Sequence, residues 1–212
     1  DALPISLTAQ AKALEEHGWK GALIGTGWGR PDTFTLATAL VARTSTFEPL
    51  IAVRPGYWKP ANFASSAATL DHLSGGRVVL GMGVSGPQVV EGWYGQPYPR
   101  PLARTREYFD VLRQVIAREK VAYDGAQIQI PYVDRYGMKS TGLGKSLRST
   151  LHPVREQIPL LLAAEGPKNI ALSAEIADGW IPFFYSPHDP EFAQNALEEG
   201  FAKRAPERLP RE

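Results

Sequence analysis

The sequence predicts an α/β protein organised on a parallel sheet, and three observations predict it. Short apolar runs near residues 21, 49, 78, 158 and 180 alternate with amphipathic stretches. Such alternation means strands joined by helical crossovers. The run 78–84, VVLGMGV, holds almost no polar residue, which suits a strand buried on both faces. The runs open into loops carrying Gly or Pro, at the strand end where α/β proteins hold ligands. Five strands in 212 residues fall short of a closed eight-stranded barrel, which takes about 250 residues. The chain is therefore an open sheet or a piece of a barrel.

The elements follow in order. Ile5 to Trp19 reads as a helix with Leu7, Ala11, Leu14 and Trp19 on one face, ended by Gly18. Residues 21–25, GALIG, form a short buried strand. Phe34 to Arg43 is a second helix, with Phe34, Ala37, Leu40 and Val41 inward. Pro49 to Val53 is the next strand. Pro60 opens a third helix, since Pro is tolerated in the first turn. Leu70 and Leu73 close its apolar face, and Ser74-Gly75-Gly76 stops it, because Gly accepts the left-handed conformation of a C-cap. In the strand that follows, Gly81 and Gly83 point to one side and leave it empty, for crowded packing or for a flat ligand.

Past the turn-rich loop 92–101, Leu102 to Glu119 is a longer helix with Leu102, Tyr108, Phe109, Leu112, Val115 and Ile116 as its stripe. Residues 121–130 read as a hairpin with Asp124-Gly125 at the turn. Tyr132 to Gln157 lacks periodicity, so 120–157 is a hairpin and long-loop excursion within one domain, 1–212. Ile158 to Ala164 is another buried strand, and a helix begins at Gly166-Pro167. Residues 180–185, WIPFFY, continue from Asp178-Gly179 as the last strand. Asp189-Pro190 caps a final helix, Glu191 to Lys203.

Composition removes several function classes. There are 23 basic and 22 acidic residues, a net charge of +1, which makes no electrostatic case for nucleic acid or an anionic membrane. The chain has no Cys, so disulfides, thiolate metal sites and cysteine nucleophiles are excluded. That suits a cytoplasmic protein. No apolar stretch is long enough for a bilayer, and no signal peptide is visible. His17, His72, His152 and His188 lack ligand spacing, so no metal site is expected.

Four stretches carry candidate chemistry. Ala163, Ala164, Glu165, Gly166, Pro167 and Lys168 join a strand end to a helix start, where free backbone N–H groups suit a phosphate. The plainer reading is an ordinary βα turn. Val84, Ser85 and Gly86 form a small-residue loop after a buried strand, without the spacing of a hydrolase nucleophile elbow. Arg54, Tyr57 and Trp58 put a cation beside aromatics at a strand end, and Trp28 and Arg30 repeat that pattern on the same rim. The plainer reading there is aromatics packed on a neighbouring helix. Glu91, near the Gly-rich loop, is a candidate hydrogen-bonding carboxylate, although such a Glu is more often solvated.

Residues 69–77, TLDHLSGGR, followed by the Gly-rich strand, resemble the luciferase-like flavin and deazaflavin oxidoreductases. So do 101–108, PLARTREY, and 161–180, LLAAEGPKNIALSAEIADGW. The resemblance implies a partial TIM barrel with about five of its eight parallel strands present, and coenzyme F-420 or FMN as cofactor. It looks closest to the F-420-dependent branch. By resemblance, Val84, Ser85 and Gly86 lie near the deazaflavin, and Ala163 to Lys168 hold the cofactor phosphate region. Ala52, Val53 and Arg54 match a strand-end bulge, often with a non-prolyl cis peptide, that backs the ring. Trp28, Arg30, Tyr57 and Trp58 are then substrate-side, with Glu91 as candidate proton donor.

Residues 21–32 and 49–71 look more like the FMN-dependent alkanesulfonate-type monooxygenases of the same superfamily. The two leanings meet near Asp71 to Arg77, as in a mosaic gene or a chimeric assembly. The family barrel is longer, with one strand expected before Ile5 and two βα units after residue 212. The chain is then expected to be a fragment of a full enzyme, truncated at both ends and not necessarily active alone. The activity implied is hydride transfer to or from a small organic substrate. The FMN alternative is oxygenation with reduced flavin supplied by a partner reductase. A homodimer follows from resemblance only. The rivals are a non-catalytic truncated barrel and a sugar-phosphate binding domain, the latter resting only on Gly166-Pro167-Lys168.

Overall fold

The computed structural model describes residues 4–27, 29–54, 58–135 and 137–206. Its centre is a five-stranded parallel sheet in the order β1-β2-β3-β6-β7. The strands are β1 (Gly21–Gly25), β2 (Glu48–Val53), β3 (Val79–Gly83), β6 (Leu160–Ala163) and β7 (Gly179–Ile181). The antiparallel hairpin β4 (Tyr123–Asp124) and β5 (Gln129–Ile130) stands apart from it. Helices α1 (Pro4–Glu16), α2 (Thr33–Val41), α3 (Pro60–Ser74), α4 (Pro87–Val90), α5 (Pro101–Ile116), α6 (Pro167–Ile176) and α7 (Glu191–Phe201) alternate with the strands. The order of neighbours follows the order of the chain, as in a (β/α) barrel wall. The wall does not close.

One face of the sheet packs on the helices and the other does not. Ile24, Ile51, Val53, Leu80, Met82, Leu160 and Leu162 are buried in the core with Phe34, Phe63, Tyr108, Phe109 and Ile170. By the two-residue alternation of strands, the opposite face carries Leu23, Gly25, Leu50, Ala52, Gly81, Gly83, Leu161 and Ala163. Leu23 on that face is 56% exposed, because the wall stays open. Gly81 belongs to packing: a Cβ there would stand 3.0 Å from the Ile51 carbonyl oxygen and 3.1 Å from Ile181 Cδ1.

Most elements form where local pattern predicts. Asp32 caps α2 by accepting a hydrogen bond from the Thr35 N–H at 2.8 Å. Gly75, at φ 63°, is the left-handed C-cap of α3. Other expectations need correction. Trp19 lies beyond the end of α1 and is exposed, and so is Leu73 on α3. Helix α5 stops at Ile116, and the last strand stops at Ile181, leaving residues 182–185 outside the sheet. The hairpin turn is shifted past Asp124-Gly125: Asp124 ends β4, and the Gly125 N–H donates to the Ile128 carbonyl at 2.9 Å, so Ala126 and Gln127 make the turn.

The amino-terminal ends of the strands are tightly bonded. Asp71, fully buried, accepts from the Arg155 backbone N–H at 3.0 Å and from its guanidinium at 2.8 and 2.5 Å. Arg77 donates to the carbonyls of Val41, Phe47 and Ser74. Glu15 accepts from the backbone N–H groups of Ser45, Thr46 and Phe47 ahead of β2. The excursion is pinned by the same means. Glu107 on α5 accepts from Gln127 and Ile128 N–H, both at 2.7 Å. Arg135 donates to the Gly125 carbonyl at 2.7 Å.

Candidate functional site

The carboxyl ends of the strands are built differently. Register pairs Gly25 with Ala52, and Gly83 with Ala163. All four are small, and by alternation they share the uncovered face. A Cβ on Gly25 would meet nothing within 4 Å, and one on Gly83 would touch Ala163 Cβ at 3.2 Å. The four residues lie in two successive rows, Gly25 and Ala52 in one with Gly81 and Leu161, and Gly83 and Ala163 in the next with Ile181. They form a shallow stretch of floor on this face, bordered by Leu161 and Ile181. Larger side chains lie one row below at Leu23 and Leu50.

Three helices start beside this floor with Pro at their first turn and no side-chain cap: α3 at Pro60, α4 at Pro87 and α6 at Pro167. An uncapped helix start presents unsatisfied N–H groups and the positive end of the dipole. A Cβ on Gly166 would meet nothing within 4 Å, so the approach to α6 is open. A flat ring with an anionic tail fits these features: small residues under the ring, and an open, uncapped helix start for the anion. Among the described residues, no three His, Cys, Asp or Glu side chains gather as a metal site.

The loop after β3 is strained. Ser85 has φ 62°, in the left-handed region that a side chain disfavours. Tyr98 holds it there, donating its hydroxyl to the Ser85 carbonyl at 2.8 Å. Burial raises the Tyr98 hydroxyl above the ordinary phenol range, so it stays a donor. Beside it, a Cβ on Gly86 would come 2.6 Å from the Gln88 amide oxygen, at the flexible end of that side chain.

The other predicted residues separate. Arg54 stands at the end of β2 and donates to the Tyr94 hydroxyl at 3.2 Å. The expected bulge is not seen at Ala52 and Val53, because β2 keeps regular pairing with β3 through Val53. Trp58 is half-buried, with its ring 5.1 Å from that of Phe34. Its carbonyl accepts from Tyr108 at 2.9 Å, so the plainer packing reading describes this ring. Arg30 is exposed, with its aliphatic stem 3.6 Å from where a Gly27 Cβ would lie. Trp28 and Tyr57 lie outside the described residues. Glu91 is exposed at the end of α4. Lys168 is exposed in the first turn of α6 and lines a groove facing α5 and α7.

Glu165 is engaged elsewhere than at the helix start. Its carboxylate accepts from the Phe183 N–H at 2.5 Å, joining the end of β6 to the segment after β7. Trp180 donates its indole N–H to the Ala164 carbonyl at 2.8 Å across the same gap. Sequence reasoning missed Tyr94 and Tyr98, which brace this rim. The available signal was a pair of tyrosines in the loop directly after the Gly-rich strand.

The sequence matches the model of the luciferase-like monooxygenase family over residues 4–210. The chain belongs to that family. A Mycobacterium tuberculosis protein named as a coenzyme F-420-dependent oxidoreductase is 58% identical over 145 residues, covering 68% of this chain and 41% of that protein. The structure of coenzyme F-420-dependent tetrahydromethanopterin reductase from Methanopyrus kandleri superposes with a TM-score of 0.81 at 24% identity, covering 96% of this chain and 59% of that one. The FMN complex of a Baeyer–Villiger monooxygenase from Pseudomonas putida gives 0.72 at 15% identity, covering 95% and 58%. These likenesses make the five-stranded sheet part of a luciferase-like barrel. The chain spans little more than half the length of the relatives it matches, or less.

Proposed function

We propose that the chain forms the cofactor-holding wall of a coenzyme F-420-dependent oxidoreductase acting on a small organic substrate. The observation that carries this reading is the set of small residues Gly25, Ala52, Gly83 and Ala163, in two successive rows of the uncovered face, beside the open, uncapped start of α6. It suits a planar ring with an anionic tail. The relative named for coenzyme F-420 supports the deazaflavin over FMN, since its identity to this chain is 58%.

When bound, the deazaflavin supplies hydride transfer at a ring carbon. The residues of this chain bind and orient. Val84, Ser85 and Gly86 border the ring, with the Ser85 backbone held by Tyr98. The backbone from Ala163 through Lys168 receives the phosphate region, Gly166 leaving the approach open. The Glu165 carboxylate serves that turn as a brace and not as an anion ligand, since like charge repels. Ala52, Val53 and Arg54 back the ring from β2. Arg30 is the substrate-side candidate among the described residues, Trp58 packing instead on Phe34, and Glu91 is the candidate proton donor. Self-association as a homodimer remains a proposal from resemblance.

The second reading is a two-component FMN monooxygenase served by a reductase, favoured by the leaning of residues 21–32 and 49–71. Fluorescence titration of the purified chain with coenzyme F-420 and, separately, FMN tests both. Saturable binding of coenzyme F-420 alone is the expected result. Binding of FMN alone overturns it in favour of the monooxygenase. Binding of neither, by a chain that melts cooperatively, favours the non-catalytic barrel.

A further inference from the structure

A charged side chain withdrawn from water is almost always paired, because an uncompensated charge is costly to desolvate. The half-buried arginines of this chain obey that rule, and one departs from it. Arg106, Arg113 and Arg155 meet the carboxylates of Glu175, Asp178 and Asp71. Arg77 meets backbone carbonyls. Arg54 is also half-buried, yet among the described residues its guanidinium meets no carboxylate and no carbonyl. Its one partner there is the Tyr94 hydroxyl, at 3.2 Å. A hydroxyl is neutral and occupies only part of the guanidinium's fork of N–H donors, so the rest stays open.

Arg54 does not belong to an edge strand, since β2 stands between β1 and β3. Val53 is buried in the core beside its register partner Met82. Alternation therefore turns Arg54 to the uncovered face, in the row beyond Ala52 and Gly81. The Tyr94 bond draws the guanidinium from the end of β2 to the segment after α4. The chain then turns at once. The Trp58 N–H donates to the Arg54 carbonyl at 3.4 Å, and the uncapped start of α3 follows at Pro60. A cation and the positive end of a helix thus stand at one strand end. The start of α6 lies at β6, two strands and about 10 Å away. In the cofactor reading the phosphate region sits there, so Arg54 answers to a different anion.

We propose that Arg54 is an anion receptor of the site, and that the substrate carries the carboxylate it pairs with. The proposal rests on the cofactor reading above, which puts the ring on the rows below Arg54. Paired N–H donors on a carboxylate make short, charge-assisted, planar bonds, which fix the orientation of the substrate. Tyr94 holds the fork in place beforehand, so less freedom is lost at binding. An anionic oxygen of the deazaflavin ring offers the same chemistry, and the two sources respond differently to titration.

The test is ligand-observed NMR on the purified chain, with acetate and the neutral acetamide as probes, each with and without coenzyme F-420. Wild type is expected to hold acetate at least about tenfold more tightly than acetamide. Arg54→Gln is expected to abolish that preference. Arg54→Lys, which keeps the charge and loses the fork, is expected to keep only part of it, and decides where Arg54→Gln does not melt cooperatively. A preference equal in wild type and the variants overturns the receptor. So does no preference in wild type with coenzyme F-420 affinity unchanged in Arg54→Gln. No preference in wild type, with coenzyme F-420 held about tenfold more weakly by Arg54→Gln and its absorption band shifted, moves the anion to the ring and overturns the substrate carboxylate. Acetate is also read without coenzyme F-420, so failure of the cofactor to bind overturns the cofactor reading separately.

Discussion

The two ends of the parallel sheet are built on opposite principles. At the amino end, long charged side chains reach across elements and spend their hydrogen bonds on backbone groups. Asp71 grips Arg155, Arg77 gathers three carbonyls, and Glu15 takes three N–H groups. At the carboxyl end the side chains shrink to Gly and Ala, α3, α4 and α6 start without a side-chain cap, and Ser85 holds a disfavoured conformation. The amino end is tied by charged side chains on backbone groups, and the carboxyl end by fewer braces, from Tyr94, Tyr98, Glu165 and Trp180, around open helix starts. In α/β barrels this is the division between a stability face and an active face. It also relocates the segment 69–77, TLDHLSGGR. That stretch carries the family resemblance most visibly, yet its Asp71 and Arg77 work at the stability end.

The division can be broken most forcefully at Asp71. Asp71→Ala leaves the Arg155 guanidinium and backbone N–H without their acceptor in a buried setting. A loss of about 3 kcal/mol is expected in urea unfolding, with coenzyme F-420 affinity of the folded chain unchanged. Weakened binding without lost stability would erase the distinction. Ala163→Leu is the converse. It raises the floor beside Gly83 and is expected to weaken coenzyme F-420 by about tenfold or more, roughly 1.4 kcal/mol. Its melting temperature should stay close to wild type.

Smaller effects sharpen the same contrast. Ser85→Gly releases a left-handed side chain and is expected to stabilise by about 1 kcal/mol, seen as a higher melting temperature. If the strain serves ligand orientation, coenzyme F-420 affinity falls in that variant as stability rises. The last test uses pH. Three backbone N–H groups and the Thr46 hydroxyl lower the Glu15 carboxyl from 4.5 to about 2. A lowered folded value stabilises above the unfolded one, and the gain is lost as pH falls. The melting advantage of wild type over Glu15→Ala should therefore be full above pH 4.5 and disappear towards pH 2.

Particular residues mark how far the chain could be read in advance. Pro60 and Gly75 begin and end α3 by their own backbone preferences, so those boundaries were legible. The apolar runs at 49–53 and 78–84 placed β2 and β3. Trp19 and Leu73 were misread because helical periodicity says which residues share a face, not whether a neighbour covers that face. At Trp58, type and position suggested a ligand contact. The presence of Phe34 5.1 Å away made it a packing residue.

By itself, the sequence determined the element order, the parallel connection, the absence of thiol chemistry and the family. Each depends on residue type and on spacing within one or two turns of chain. Only the tertiary structure decided which end of the sheet each polar residue serves. Asp71 and Arg155 are 84 positions apart, and Glu165 and Phe183 18 apart. Nothing in local conformational preference couples residues at such distances. Their pairing is set by strand order and register, which bring chain-distant groups within hydrogen-bond reach once the sheet has formed.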